Sequence, residues 1–173
     1  VGNAKQAAQY YQCRLGFELV AYRGLETGDR EAASYVLRQN KVWFVLTSPL
    51  LPGSSLNEHL RLHGDGVKDI AFAVDDARAA WKHATDRGAA SAAEPREISD
   101  GNGRAVTAAV KTYGDTIHTF VERRDYKGVF LPGYAEAEPL GPVETAGLQI
   151  VDHIVGNQPD GEMERVANWY RDV

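Results

Sequence analysis

The stretch Val151-Asp-His-Ile-Val-Gly-Asn157, followed by Val166-Ala-Asn-Trp-Tyr170, restates the opening Val1-Gly-Asn3 followed by Ala7-Ala-Gln-Tyr-Tyr11. An internal repeat constrains a fold more than composition does, because each copy must form the same supersecondary unit and bury its apolar face in the same way. The two copies differ at one chemically informative place: His153 belongs to the later one alone. A duplicated scaffold with a metal-capable side chain in one copy points to one working half and one supporting half.

Three passages share a plan of strand, polar cap, helix and glycine. In the first, the leading strand is lost and Asn3 is positioned as an N-cap. Ala4, Ala7, Ala8, Tyr11 and Leu15 form a helical stripe that Gly16 ends. Phe17 to Tyr22 reads as a strand, and Ala33 to Arg38 with Lys41 to Ser48 reads as a hairpin across Gln39-Asn40, its second strand apolar on both faces. The second passage is complete: a strand from Val67 to Val74, a helix capped by Asp75-Asp76 with Ala77, Ala80, Trp81 and Ala84 on one face, and Gly88 at its end. Strands follow over Ala92 to Ile98, Arg104 to Thr112 and Thr116 to Arg123, with a turn at Asp100-Gly-Asn-Gly103. The order is β-α-β-β-β, so the expected class is α+β with paired βαβββ modules.

Residues 1–125 are then a nearly complete domain of two modules. Residues 126–147, rich in Pro and Gly with no period, read as a linker. Residues 148–173 read as the first strand and helix of a truncated second domain, whose helix carries the stripe Met163, Val166, Ala167 and Tyr170. Both ends of the sequence look like cuts, which makes a fragment the expectation.

Period-two geometry sets the expected direction of His153. In the template strand, Ile70, Phe72 and Val74 form the bulky face toward the unit's own helix, which leaves Asp69 on the opposite, concave face. Aligning Val67-Lys-Asp-Ile70 with Val151-Asp-His-Ile154 puts His153 where Asp69 sits and turns Asp152 to the other face. A lone strand histidine is either a hydrogen-bonded structural residue or a ligand, and the residues alone leave both open.

Other candidates carry less. His59 and His63 have the i, i+4 spacing of a zinc pair but lack a glutamate after the first histidine, and Gly64-Asp-Gly66 follows at once, so a loop-edge pair is the plainer reading. His118 reads as a surface or sheet-lining residue and His83 as the polar side of its helix. Asp69 and Glu122 are strand carboxylates that would suit a hard cation or simply sit solvated at a cavity rim. The net charge of -5 gives no electrostatic footprint for nucleic acid, no apolar run reaches membrane-span length, and the single Cys13 fits a reducing cytoplasmic setting. No phosphate loop, dinucleotide fingerprint, nucleophile elbow or Cys-x-x-Cys is present.

Several longer passages carry a resemblance: Val1-Gly-Asn-Ala-Lys-Gln-Ala-Ala8, Ala21-Tyr-Arg-Gly-Leu-Glu-Thr-Gly28, His63-Gly-Asp-Gly-Val-Lys-Asp-Ile-Ala-Phe72, Thr112-Tyr-Gly-Asp115, Phe130-Leu-Pro-Gly-Tyr134 and Val151 to Asp160. In this order and spacing they resemble the 4-hydroxyphenylpyruvate dioxygenase family of the vicinal oxygen chelate superfamily, its animal type more than its plant type. The resemblance implies a non-haem Fe(II) enzyme of tyrosine catabolism that converts 4-hydroxyphenylpyruvate and O2 to homogentisate and CO2. It implies two histidines and one glutamate as iron ligands, with His153 the first and the others beyond Val173. A fragment with one of three ligands is expected to be inactive. The resemblance further implies a homodimer or homotetramer at full length. A hydroxymandelate synthase-like enzyme and a metal-free binding module on the same repeats are the competing expectations.

Overall fold

The computed structural model describes residues 1–173. They form two compact units, one of residues 1–66 with 128–153 and one of residues 67–127 with 154–173. No helix is long and apolar enough to cross a membrane.

The first unit opens with α1 (Ala4–Leu15), where the Asn3 side chain accepts the Gln6 N–H and Gly16 closes the helix at φ 71. Both signals were local in the sequence, and both act where expected. The buried side of α1 lies on an antiparallel sheet ordered β1 (Glu18–Arg23), β2 (Ala32–Gln39), β3 (Val42–Pro49). Ala8, Phe17, Leu19, Leu37 and Val42 are its buried core, with Tyr11, Phe44 and Leu46 packed around them. Each fully buried large apolar side chain in such a cluster contributes roughly 1.5–3 kcal/mol.

Gln39 pairs with Val42, so the hairpin turn is Asn40-Lys41, one residue later than expected. Asn40 adopts φ 53, which the paired turn needs and which asparagine tolerates. The doubly apolar look of β3 has a different cause on each face. Val42, Phe44 and Leu46 join the helix-side core, while Trp43 on the other face stacks on Phe130 at 6.0 Å. A further helix, α2 (Ser55–His63), follows with Ser54 as its cap.

The expected linker is a packed strap. Tyr22 and Ala135 exchange backbone hydrogen bonds of 2.9 Å in each direction. The buried Gln12 donates to the Gly141 carbonyl at 2.6 Å and accepts the Leu140 N–H at 3.0 Å. The buried Gln39 donates to the Leu15 carbonyl at 2.6 Å and accepts the Leu148 N–H at 2.5 Å. Proline and glycine exclude regular structure from this stretch, yet its polar backbone is satisfied by side chains of the unit it covers.

The second unit runs β4 (Phe72–Ala73), α3 (Ala77–Asp86), β5 (Ser91–Asp100), β6 (Gly103–Lys111), β7 (Ile117–Glu122). This is the βαβββ order. The sheet is arranged β4-β7-β6-β5, with β4 parallel to β7 and the other pairs antiparallel. The strand expected over Val67 to Val74 shrinks to β4 and one isolated bridge between Asp69 and Ile117. The Asp76 side chain caps α3 through the Ala79 N–H. Last comes α4 (Met163–Asp172), which starts at Met163 as the stripe predicts, but Met163 itself is exposed. Trp169 and Val173 instead pack against the buried Ala84, Ala89 and Val110.

The repeat persists at the level of single hydrogen bonds. Two residues before the N-cap of α3, the Val74 N–H donates to the Val121 carbonyl at 3.0 Å; two residues before the N-cap of α1, the Val1 nitrogen donates to the Thr47 carbonyl at 3.0 Å.

Candidate functional site

His153 lies in a segment without regular structure that joins no sheet, against the expectation of a strand from Leu148. Leu148, Ile150, Val151, Ile154 and Val155 are all exposed. The apolar pattern of a strand is present, but a strand needs a neighbour to pair its N–H and C=O groups, and none lies beside it here. Only the start of the segment is held. Asn40 donates to the Leu148 carbonyl at 2.6 Å, and the Lys41 N–H donates to the Gln149 carbonyl at 3.1 Å.

Freed from a ladder, Asp152 and His153 do not point to opposite faces as expected. His153 Nδ1 lies 2.6 Å from Asp152 Oδ2, and the two side chains are 73% and 87% exposed. A carboxylate accepts, so Nδ1 carries the hydrogen, and Nε2 of the neutral ring is the nitrogen left to bind a metal. In donor chemistry this fits one position of an iron site. No group of three or more His, Cys, Asp or Glu side chains converges to hold a metal ion within the chain.

The other histidines and carboxylates have structural work. Asp69 accepts the Thr119 N–H at 3.1 Å and its hydroxyl at 2.6 Å, which ties the short first strand to β7. Glu122 accepts the Ala77 N–H at 3.0 Å, where a carboxylate suits the start of α3. His59 and His63 sit in the last turns of α2, His63 as its final residue before the Gly64 cap, which agrees with a pair at a loop edge; their ring centroids are 4.7 Å apart. His83 contacts Arg87 through Nδ1 at 3.0 Å on the exposed side of α3.

Of the two readings of His118, the surface one fails and the sheet-lining one stands, because it is buried on β7 at 7% exposure. Its Nδ1 is 3.1 Å from the Ile70 carbonyl and its Nε2 is 2.9 Å from the Tyr170 hydroxyl. The carbonyl requires Nδ1–H, so in the neutral ring Nε2 accepts the hydrogen of Tyr170. Strand alternation held the clue, because His118 shares a face of β7 with Phe120, which packs on the core. Together with Phe72, Phe120 and Trp169 these two rings border an apolar cavity of about 300 Å³. Tyr170→Phe leaves Nε2 without its donor and is expected to cost about 1–2 kcal/mol. Faster hydrogen exchange of the amides of α4 is the result to look for, and unchanged exchange would contradict this role for the tyrosine.

Residues 2–131 match the family profile described as hydroxyphenylpyruvate dioxygenase, amino-terminal. The chain belongs to the hydroxyphenylpyruvate dioxygenase family.

The similarity to members of this family continues past the matched region. The chain is 53% identical to 4-hydroxyphenylpyruvate dioxygenase of Danio rerio over 177 aligned residues, covering 99% of this chain and 45% of that protein. With the enzyme of Tetrahymena thermophila it shares 48% identity, over 98% of this chain and 44% of the relative. The chain thus spans about half the length of the curated relatives it matches. Among solved structures, a triple mutant of 4-hydroxymandelate synthase from Streptomyces coelicolor superposes with TM-score 0.84 at 28% identity, over 99% of this chain and 49% of that one. Methylmalonyl-CoA epimerase of the same organism shares the fold alone, at TM-score 0.60 and 18% identity over 73% of this chain and 91% of that one. The α+β class and the paired βαβββ plan therefore stand as read from the repeat.

Proposed function

We propose that this chain is part of a non-haem Fe(II) dioxygenase that converts 4-hydroxyphenylpyruvate and O2 to homogentisate and CO2. In this reading, residues 1–125 are the non-catalytic paired-module domain, and 148–173 are the first strand and helix of the catalytic domain. The observation that carries it is identity of about one residue in two with named dioxygenases across nearly the whole chain. His153 is the proposed iron ligand, through the exposed imidazole nitrogen Nε2. The other two ligands, a histidine and a glutamate, come from sequence outside this chain.

Bound iron would supply a redox-active Lewis acid with open positions for a 2-oxo acid and for O2, which is why the protein fills only three sites. The chain's own contribution is one imidazole on a segment pinned at Leu148 and Gln149, and a folded pair of modules that supports it. The proposed setting is the cytoplasm, with the intact protein a homodimer or homotetramer.

One imidazole leaves Fe(II) mostly in water, so the 173-residue chain by itself is expected to show no oxygen uptake with 4-hydroxyphenylpyruvate. The intact polypeptide carrying this sequence should consume O2 with that substrate and release homogentisate, and its His153→Ala variant should lose both iron and turnover. Release of 4-hydroxymandelate would favour the synthase reading. Turnover by the isolated chain, or by the alanine variant, would falsify the assignment of His153.

A further inference from the structure

We propose that Asn102 is a site of spontaneous modification: its side-chain amide is lost to the Gly103 backbone nitrogen through a cyclic imide, and the products loosen the clasp that Tyr126 and Lys127 place on the β5–β6 turn. The reaction needs no metal and does not depend on the role of His153.

Of the six asparagines, Asn102 alone precedes a glycine; the others precede Ala4, Lys41, Glu58, Gln158 and Trp169. The following residue matters because its amide nitrogen is the nucleophile. Glycine has no Cβ to shield that nitrogen, and it reaches backbone angles closed to other residues. Gly103 stands at φ 120, and Asn102 is exposed in the turn between β5 and β6. Three other asparagines are held by hydrogen bonds to the main chain. Asn3 accepts the Gln6 N–H, Asn40 donates to the Leu148 carbonyl, and Asn57 donates to the carbonyls of Leu51 and Pro52. The Asn102 side chain instead faces the Tyr126 hydroxyl.

The Gly103 nitrogen, giving its hydrogen to solvent base, forms a bond to Asn102 Cγ; the Cγ–Nδ2 bond breaks and ammonia leaves. Water then opens the imide at either carbonyl. One opening leaves aspartate at position 102, and the other leaves isoaspartate, whose side-chain carbon has entered the main chain. Neither product suits the turn. Asp100 accepts the Asn102 N–H at 2.8 Å through Oδ1 and the Tyr126 hydroxyl at 2.9 Å through Oδ2, so a carboxylate at 102 brings a like charge beside Asp100. The Asn102 carbonyl accepts the Lys127 N–H at 2.9 Å, and in isoaspartate that carbonyl becomes a carboxylate hanging off the main chain. Gly103 bridges to Tyr126, and a Cβ on it would press on the Asp125 carbonyl oxygen, so the backbone there has no space for an added carbon.

The test is to age the folded 173-residue chain in warm, mildly alkaline buffer and map its peptides by mass, with aspartate separated from isoaspartate. Asn102 should convert first and about tenfold faster than any other asparagine, a difference of about 1.4 kcal/mol in barrier. In the aged protein the Lys127 amide should exchange its hydrogen about fivefold faster, the effect of one lost hydrogen bond. Asn102→Asp, which carries the charge without the added carbon, should raise that exchange by less. Asn102→Gln, whose longer side chain closes the ring poorly, should stay unmodified through the same ageing. Conversion of Asn40 or Asn57 ahead of Asn102, or at the same rate, overturns the site. Conversion of Asn102 with unchanged exchange at Lys127 overturns the loosened clasp.

Discussion

Gly16→Ala should unfold this protein at a markedly lower urea concentration, with a loss of about 2–5 kcal/mol. Two costs combine. Gly16 has φ 71, in the left-handed region, where a side chain adds roughly 1–2 kcal/mol. A Cβ there would also press on the Glu144 carbonyl carbon at 2.7 Å and closer still on the Thr145 Cα, all of it backbone. Overpacking of this kind costs about 1–3 kcal/mol. Gly28 is the internal control: it has φ 89 but nothing within 4 Å of a built Cβ, so Gly28→Ala should pay the conformational cost alone. The measurement is the shift in urea midpoint at constant slope. Equal losses at the two glycines would mean that the strap gives way freely beside α1.

The second large effect is expected at Gln12. Gln12→Met keeps the volume but orphans the Gly141 carbonyl and the Leu140 N–H, for a loss of about 2–4 kcal/mol. Gln12→Ala adds a cavity and should cost more. In both variants the strap should become the first site of limited proteolysis. If residues 126–147 were a free linker, Gln12→Met would change stability by less than about 0.5 kcal/mol.

What could be read in advance divides by the range of the interactions concerned. Asn3, Gly16 and Asp76 act on backbone groups three to five positions away, so the ends of α1 and α3 were legible within a residue or two. The turn at Asn40-Lys41 was misplaced by one because its register depends on pairing along the whole length of β2 and β3. Nothing local to Gln12 or Gln39 marks either for burial, which follows from residues more than a hundred positions away. The strand pattern around His153 was legible, whereas strand formation depends on a partner that pattern cannot supply. For His153 itself, residue type and alternation left both a structural histidine and a ligand open, the structural reading being the plainer. The ligand reading is a proposal that rests on the family similarity.

The hold on Leu148 and Gln149 by the β2–β3 hairpin turns a loop tip into a fixed origin for the imidazole. Four steps of chain lead from Gln149 to His153, and an extended chain advances at most ~3.6 Å per residue, so the ring's backbone stays within a leash of about 14 Å from Gln149, which Lys41 holds. Inserting two residues between Gln149 and His153 would lengthen that leash by half without touching either end. With His153 as the proposed iron ligand, metal affinity in the intact protein would then report how tightly the origin must be set.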